Sequence, residues 1–183
     1  SLGPSLAPVQ ITVGRVRAAQ GELELAQLAL ERALEIDPFE PDVHEALGSL
    51  YRRMGRADDA DAAFARAVAL DPEQPRHRGA YANYLYAAGR VDDAVEQWRA
   101  ALRNEPGYYP SLVNLGAALE ESGRIADAIS IYERAIAIRP SYMAWSNLGT
   151  AFSMTQQYEE AVDAYRAAID IDAGDWLAWG NLG

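Results

Sequence analysis

The sequence predicts an all-α protein, an α-solenoid of helix–turn–helix units with five full repeats and the first helix of a sixth. Three observations carry this expectation. Pro38, Pro72, Pro106 and Pro140 fall 34 residues apart, and Gly21, Gly55, Gly89 and Gly123 keep the same interval between them. A fixed period of this length, with a helix-stopping Gly and a helix-ending Pro in each copy, marks one supersecondary unit repeated along the chain. Small residues also recur once per period. Gly14, Gly48, Ala82, Gly116 and Gly149 form one column, Ala26, Ala60, Ala94, Ala128 and Ala161 a second, and Ala33, Ala67, Ala101, Ala135 and Ala168 a third. Close helix–helix approach requires such columns, because branched side chains would hold the backbones apart.

The elements follow in order. Residues 7–40 form the first unit, in which Leu30 opens a bulky column continued by Phe64, Trp98, Tyr132 and Tyr165. In the second unit, 41–74, a helix over roughly Pro41–Met54 places Val43, Leu47, Leu50, Tyr51 and Met54 on one stripe. Gly55 then supplies a left-handed terminus. The second helix of that unit opens on Asp58 and Asp59, whose charges oppose the positive pole of the helix dipole, and runs to Leu70–Asp71, where Pro72 stops it. Units 75–108 and 109–141 repeat the pattern, with Asp92 and Asp93 at the corresponding helix start of the third. In unit 142–175, Gln156 replaces the Gly and Ala173 the Pro, so its turns are expected to be looser while its helices persist. Residues 176–183 form the first helix of a sixth unit, and residues 1–6 a tail that is disordered or left from a cloning boundary or an excised linker.

These columns resemble the tetratricopeptide repeat (TPR), whose signature is Trp-x-x-Leu-Gly-x-x-Tyr followed by Ala, an aromatic, Ala and Pro. Trp145-x-x-Leu148-Gly149-x-x-Phe152 and Leu47-Gly48-x-x-Tyr51 carry the first half of it. The resemblance covers residues 7–183 as one array; Arg17 stands where the first unit should hold an aromatic. It implies a right-handed solenoid that binds a peptide along the concave surface lined by the first helices.

Composition limits the partners. A net charge of −11 and a pI near 4.6 disfavour nucleic acid and anionic lipid, both of which need a cationic surface. No apolar run approaches the roughly 18 residues of a membrane span, so no membrane insertion is expected. All 16 basic residues are Arg, and cysteine is absent, which removes disulfides and thiolate metal sites. The compartment stays open. Protein or peptide is the expected partner.

No enzyme motif appears: there is no Gly-x-Ser-x-Gly elbow, phosphate-cradling loop or His-Glu-x-x-His. The acid pairs serve helix dipoles, and no cofactor or metal is expected. His44 and His77 sit at neighbouring columns of consecutive first helices, where packing or surface roles outweigh metal ligation. Asp170-x-Asp172-x-Gly174-Asp175 has calcium-loop character, but Asn181 stands where the loop needs a bidentate Glu.

The groove therefore becomes the candidate site. Its expected lining begins with Ile11, Arg15 and Ala18, then Asp42, Glu45, Ser49 and Arg52, then Arg76, Gly79, Asn83 and Tyr86. It continues through Val113, Asn114, Ser146, Asn147 and Thr150. Arg15, Arg52 and Arg76 suit carboxylates or a phosphorylated segment, unless they pair with Asp42 and Glu45 of their own chain. The carboxylate clamp of chaperone-binding TPR domains is not matched. One alignment offers Arg15 and Arg76 without amides, the other Asn83, Asn114 and Asn147 without a cation. Asn114, Asn147 and Asn181 resemble instead the asparagine ladder of the O-linked N-acetylglucosamine transferase superhelix, which can grip a peptide backbone.

The expected function is a non-catalytic interaction module that binds a peptide through Arg15, Ser49, Arg52, Arg76, Asn83, Tyr86, Asn114, Asn147 and Thr150. Two alternatives stand beside it: the substrate-recruiting arm of a larger enzyme such as a glycosyltransferase, and a self-associating scaffold. The last rests on Trp176, Leu177, Trp179 and Leu182, which one short terminal helix cannot turn all together toward the fifth unit; Trp179 and Leu182 are expected to dock, leaving Trp176 or Leu177 for a homo-oligomer contact.

Overall fold

The structure, a computed structural model, describes residues 6–171. Ten α-helices occupy this span and no strand is present in it. In order they are α1 (Ala7–Ala19), α2 (Leu23–Ile36), α3 (Pro41–Arg53), α4 (Ala57–Leu70), α5 (Pro75–Ala87), α6 (Val91–Asn104), α7 (Tyr109–Glu121), α8 (Ile125–Ile138), α9 (Tyr142–Met154) and α10 (Tyr158–Ile171). The expected eleventh helix, with Trp176, Leu177 and Asn181, lies outside the described residues, as do most of the amino-terminal tail and the second half of the calcium-like loop. The chain is an all-α solenoid of helix–turn–helix repeats. Its contacts divide it into two compact halves, Ser1–Arg90 and Val91–Gly183.

Every first helix has 13 residues and every second helix 14. The turn between them explains this regularity. Gly21, Gly55, Gly89 and Gly123 all have φ between 73° and 84°, in the left-handed region where a Cβ clashes with the backbone. At the fifth turn Gln156 takes φ 62°, and α9 and α10 form on either side of it. Tertiary packing thus holds a glutamine in a glycine's conformation. The helix expected over Pro41–Met54 ends one residue earlier, with Met54 as its cap.

Packing inside the hairpins follows from the remaining columns. A Cβ on Gly48 would lie 2.8 Å from the Phe64 ring, and one on Gly149 would lie 2.7 Å from the Tyr165 ring. Gly14 stands in the same relation to Leu30, and Gly116 to Tyr132. The bulky residue of each of these second helices therefore packs directly against a bare stretch of the first helix. All five bulky-column residues are buried, and so are the Ala26 and Ala33 columns. In the amino-terminal half, Ile11, Leu30, Val43, Leu47 and Leu50 gather into one core. In the carboxy-terminal half, Tyr165 anchors a second cluster with Trp145 and Phe152 against it.

Candidate functional site

In the amino-terminal half, α1, α3 and α5 bring an ionic cluster together. Glu45 of α3 is its hub, with only 13% of its side chain exposed. Arg76 Nη1 donates to Glu45 Oε1 at 2.9 Å, Arg15 Nη2 reaches the same oxygen at 3.5 Å, and His77 Nδ1–H donates to Oε2 at 2.7 Å. Arg76 also pairs with Asp42. Two guanidiniums thus offset two carboxylates, and the buried imidazole of His77 is satisfied by one of those acids. Asp42, Glu45 and His77 each bring a ligand atom to within 4.8 Å of the others. The chemistry disfavours a cation there, because Arg76 already occupies both carboxylates and a metal would have to displace it.

The cluster separates the two histidines, and the burial pattern narrows the expected groove lining. His77 pairs with α3 acids, while His44 Nε2 bonds the Pro38 carbonyl at 3.0 Å, so the two histidines do not form a common site. Arg15 and Arg76 meet acids of their own chain, the alternative weighed above. Ile11, Gly79, Val113 and Ser146, expected on the groove surface, are buried. Ile11 joins the core under α3, and the groove-facing set is narrower than the column rule implied.

The other groove candidates occupy distinct settings. Arg15 and Ser49 line an open cavity of about 270 Å³ between α1 and α3, with Ala18 and Arg53 on its walls. Arg52 lines a separate depression of about 240 Å³ with Tyr84, Ala87 and Ala88. The side chains of Ser49 and Arg52 are exposed and make no hydrogen bond or ion pair among the described residues. On α5, Asn83 is exposed and Tyr86 half-buried. In the carboxy-terminal half, Asn114 of α7 and Asn147 and Thr150 of α9 are half-buried. The Thr150 hydroxyl donates to the Ser146 carbonyl and lies 3.2 Å from the Tyr165 hydroxyl, so it braces the α9–α10 hairpin. The Asn147 amide makes no hydrogen bond among the described residues.

Two features escaped the sequence reading. One is the Glu45–His77 pair, whose members stand 32 residues apart on consecutive first helices. The other is a cavity of about 560 Å³ on α6, α7 and α8, whose lining includes Arg99, Arg103, Arg124 and Arg134. Its only signal in the sequence is the spacing of Arg99 and Arg103, which places both on one helix face. Among the described residues, three titratable groups are shifted by burial, the Tyr84 hydroxyl among them, raised chiefly by desolvation. Desolvation raises the Tyr81 hydroxyl, with Asp61 adding to the effect. Desolvation also raises the Glu120 carboxyl, although the hydrogen bond from Tyr132 at 3.1 Å opposes it.

The family follows from these features together with sequence comparison. A tetratricopeptide repeat model matches residues 45–109, 80–142 and 113–175, and a TPR repeat model matches 14–55. The chain belongs to the tetratricopeptide repeat family. No curated protein matches the sequence. Among solved structures, MamA aligns with a TM-score of 0.77 at 22% identity, over 88% of this chain and 95% of that one. PilF of Pseudomonas aeruginosa aligns at 0.79 with 20% identity, over 96% of this chain and 88% of that one. YrrB, described as a TPR protein with an unusual peptide-binding site, aligns at 0.74 with 20% identity, over 93% and 89%. At these identities the likeness is one of fold. No helix among the described residues is long and apolar enough to cross a membrane.

Proposed function

We propose that this protein is a protein–protein interaction module that binds a peptide segment of its partner through the exposed first-helix faces. The observation that carries the reading is a set of polar side chains on those faces with no partner among the described residues: Ser49 and Arg52 on α3, and Asn147 on α9. Water satisfies such side chains in the free protein, and a peptide backbone, which needs both donors and acceptors, can take its place because a primary amide supplies both. The cavity beside Arg15 and Ser49 adds space for a side chain. YrrB shows that the fold accommodates a peptide-binding site.

Arg15 and Arg76 enter this reading as positioning residues. Their pairing with Glu45 and Asp42 holds α1, α3 and α5 in register, and a peptide carboxylate would have to compete with those acids.

The test is selection of binding peptides from a random peptide library, followed by anisotropy titration against single variants. Arg52→Ala and Asn147→Ala are expected to weaken the selected peptides tenfold or more, about 1.4 kcal/mol. Full affinity in Ser49→Ala, Arg52→Ala and Asn147→Ala alike would remove the first-helix faces as the site.

A further inference from the structure

The cavity on α6, α7 and α8 has an apolar floor and a cationic rim. Leu102, Leu115, Leu119 and Ile131 provide the floor; Leu115 and Leu119 are almost fully buried. Four arginines stand around it against a single acid, Asp127, a local excess of three positive charges in a chain of net charge −11. Two of the four are committed. Arg124 pairs with Asp127, and Arg134 Nη2 donates to the Pro106 carbonyl at 3.2 Å. Arg99 and Arg103, one turn apart on α6, are exposed and have no hydrogen bond or ion pair among the described residues. In a chain with 27 acidic residues, two neighbouring guanidiniums beside an apolar cavity and without any acid are not accounted for by surface neutralisation.

The next repeat supplies an internal comparison. A cavity of about 480 Å³ on α8, α9 and α10 is lined by Leu148 and Phe152 at the places of Leu115 and Leu119. Its charged lining is the reverse: Glu133 stands one period after Arg99, and Glu160 and Asp163 join it with no cation. The repeat scaffold makes the apolar cleft in both places, and the side chains at its rim determine which charge it accepts.

We infer that the α6–α8 cleft is a second binding site, for an acidic peptide segment of a partner protein that carries an apolar side chain between its carboxylates. The apolar side chain enters over Ile131, the half-buried member of the floor, and its own surface leaves water against the buried Leu102, Leu115 and Leu119 beneath. Flanking carboxylates meet Arg99 and Arg103, whose planar guanidiniums can each bind one through two parallel hydrogen bonds. The reversed charge of the neighbouring cleft repels the same segment and fixes its register along the array. This site includes none of the groove residues Ser49, Arg52 and Asn147 and does not depend on them.

The experiment uses the whole chain and a fluorescein-labelled Glu-Glu-Leu-Phe-Glu-Glu peptide, read by anisotropy. Binding is expected to weaken with added salt, and to fall more than tenfold in the double variant Arg99→Glu/Arg103→Glu. Both side chains are exposed, so circular dichroism of that variant should match the parent. Arg99→Lys should retain part of the affinity, and Asn147→Ala should leave it unchanged, which separates this site from the groove. A peptide with Gln for each Glu, or with Ser for both Leu and Phe, should bind at least tenfold more weakly. Undiminished binding in the double variant, or equal binding of the Gln peptide, would overturn the inference. So would self-association of the parent that the double variant abolishes, since the occupant would then be a second copy of the chain.

Discussion

Glu120 shows how one side chain can carry a cost that the fold does not need. It sits near the end of α7, half-buried, and accepts a hydrogen bond from Tyr132, whose ring lies on the bare backbone at Gly116. Burial penalises its ionised form and raises its proton affinity from the ordinary carboxylate value, against the smaller opposing effect of the Tyr132 hydrogen bond. The folded state therefore binds a proton that the unfolded state has already released in the window just above the unfolded value. Stability contributed by the neutral acid is present below that window and lost as the pH rises through the raised value. Glu120→Gln keeps an acceptor for Tyr132 and removes the charge. It should raise the melting temperature at pH 7, and the gain should vanish as the pH falls below the ordinary carboxylate value. Thermal unfolding followed by circular dichroism across that range checks the sign, and a gain that persists undiminished in acid would show that desolvation of the charge is not its source.

At the scale of the element, the recurring hairpin is set by one left-handed residue between two helices. Four of the five turns use glycine; the fifth uses Gln156 at φ 62°. A non-glycine residue in this conformation costs about 1–2 kcal/mol, and glycine recovers that while returning roughly 0.4–1 kcal/mol of unfolded-state entropy. Gln156→Gly should therefore stabilise the α9–α10 hairpin by about 0.5–1 kcal/mol. Because repeat arrays open locally, hydrogen exchange of amides in α9 and α10 is the appropriate measure. Slower exchange confined to that hairpin is the expected outcome, and unchanged exchange would mean that the turn is not strained.

For the molecule as a whole, charge is the controlling quantity. At pH 7 the net charge of −11 makes copies repel, and this repulsion disappears near the pI of about 4.6. Light scattering should show a rising apparent mass as the pH approaches 4.6 in low salt. The expectation that Trp176 and Leu177 drive association is separable from this effect, since replacing both with Ala should then lower the apparent mass at pH 7 as well. A mass that does not respond to pH or to those substitutions would place any self-contact elsewhere.

The sequence by itself determined the period, the fold class and the family, because helix-stopping glycines, small columns and bulky columns act through local geometry that recurs with each copy. Even the exception at Gln156 was visible as a break in the glycine column, although only packing on both sides could show that its turn keeps the glycine conformation. The site was less legible. A column rule assigns one face to every first helix, but it cannot say that Ile11 turns into the core or that Thr150 spends its hydroxyl on Ser146 and Tyr165. Pairings such as Glu45 with His77 join residues 32 apart, and nothing in their local sequence selects one partner over another. The arginine-rimmed cleft likewise exists only once α6, α7 and α8 are packed. Its floor is built from residues that the repeat pattern reads as ordinary core, and its charge belongs to side chains on separate elements that tertiary structure brings to one opening.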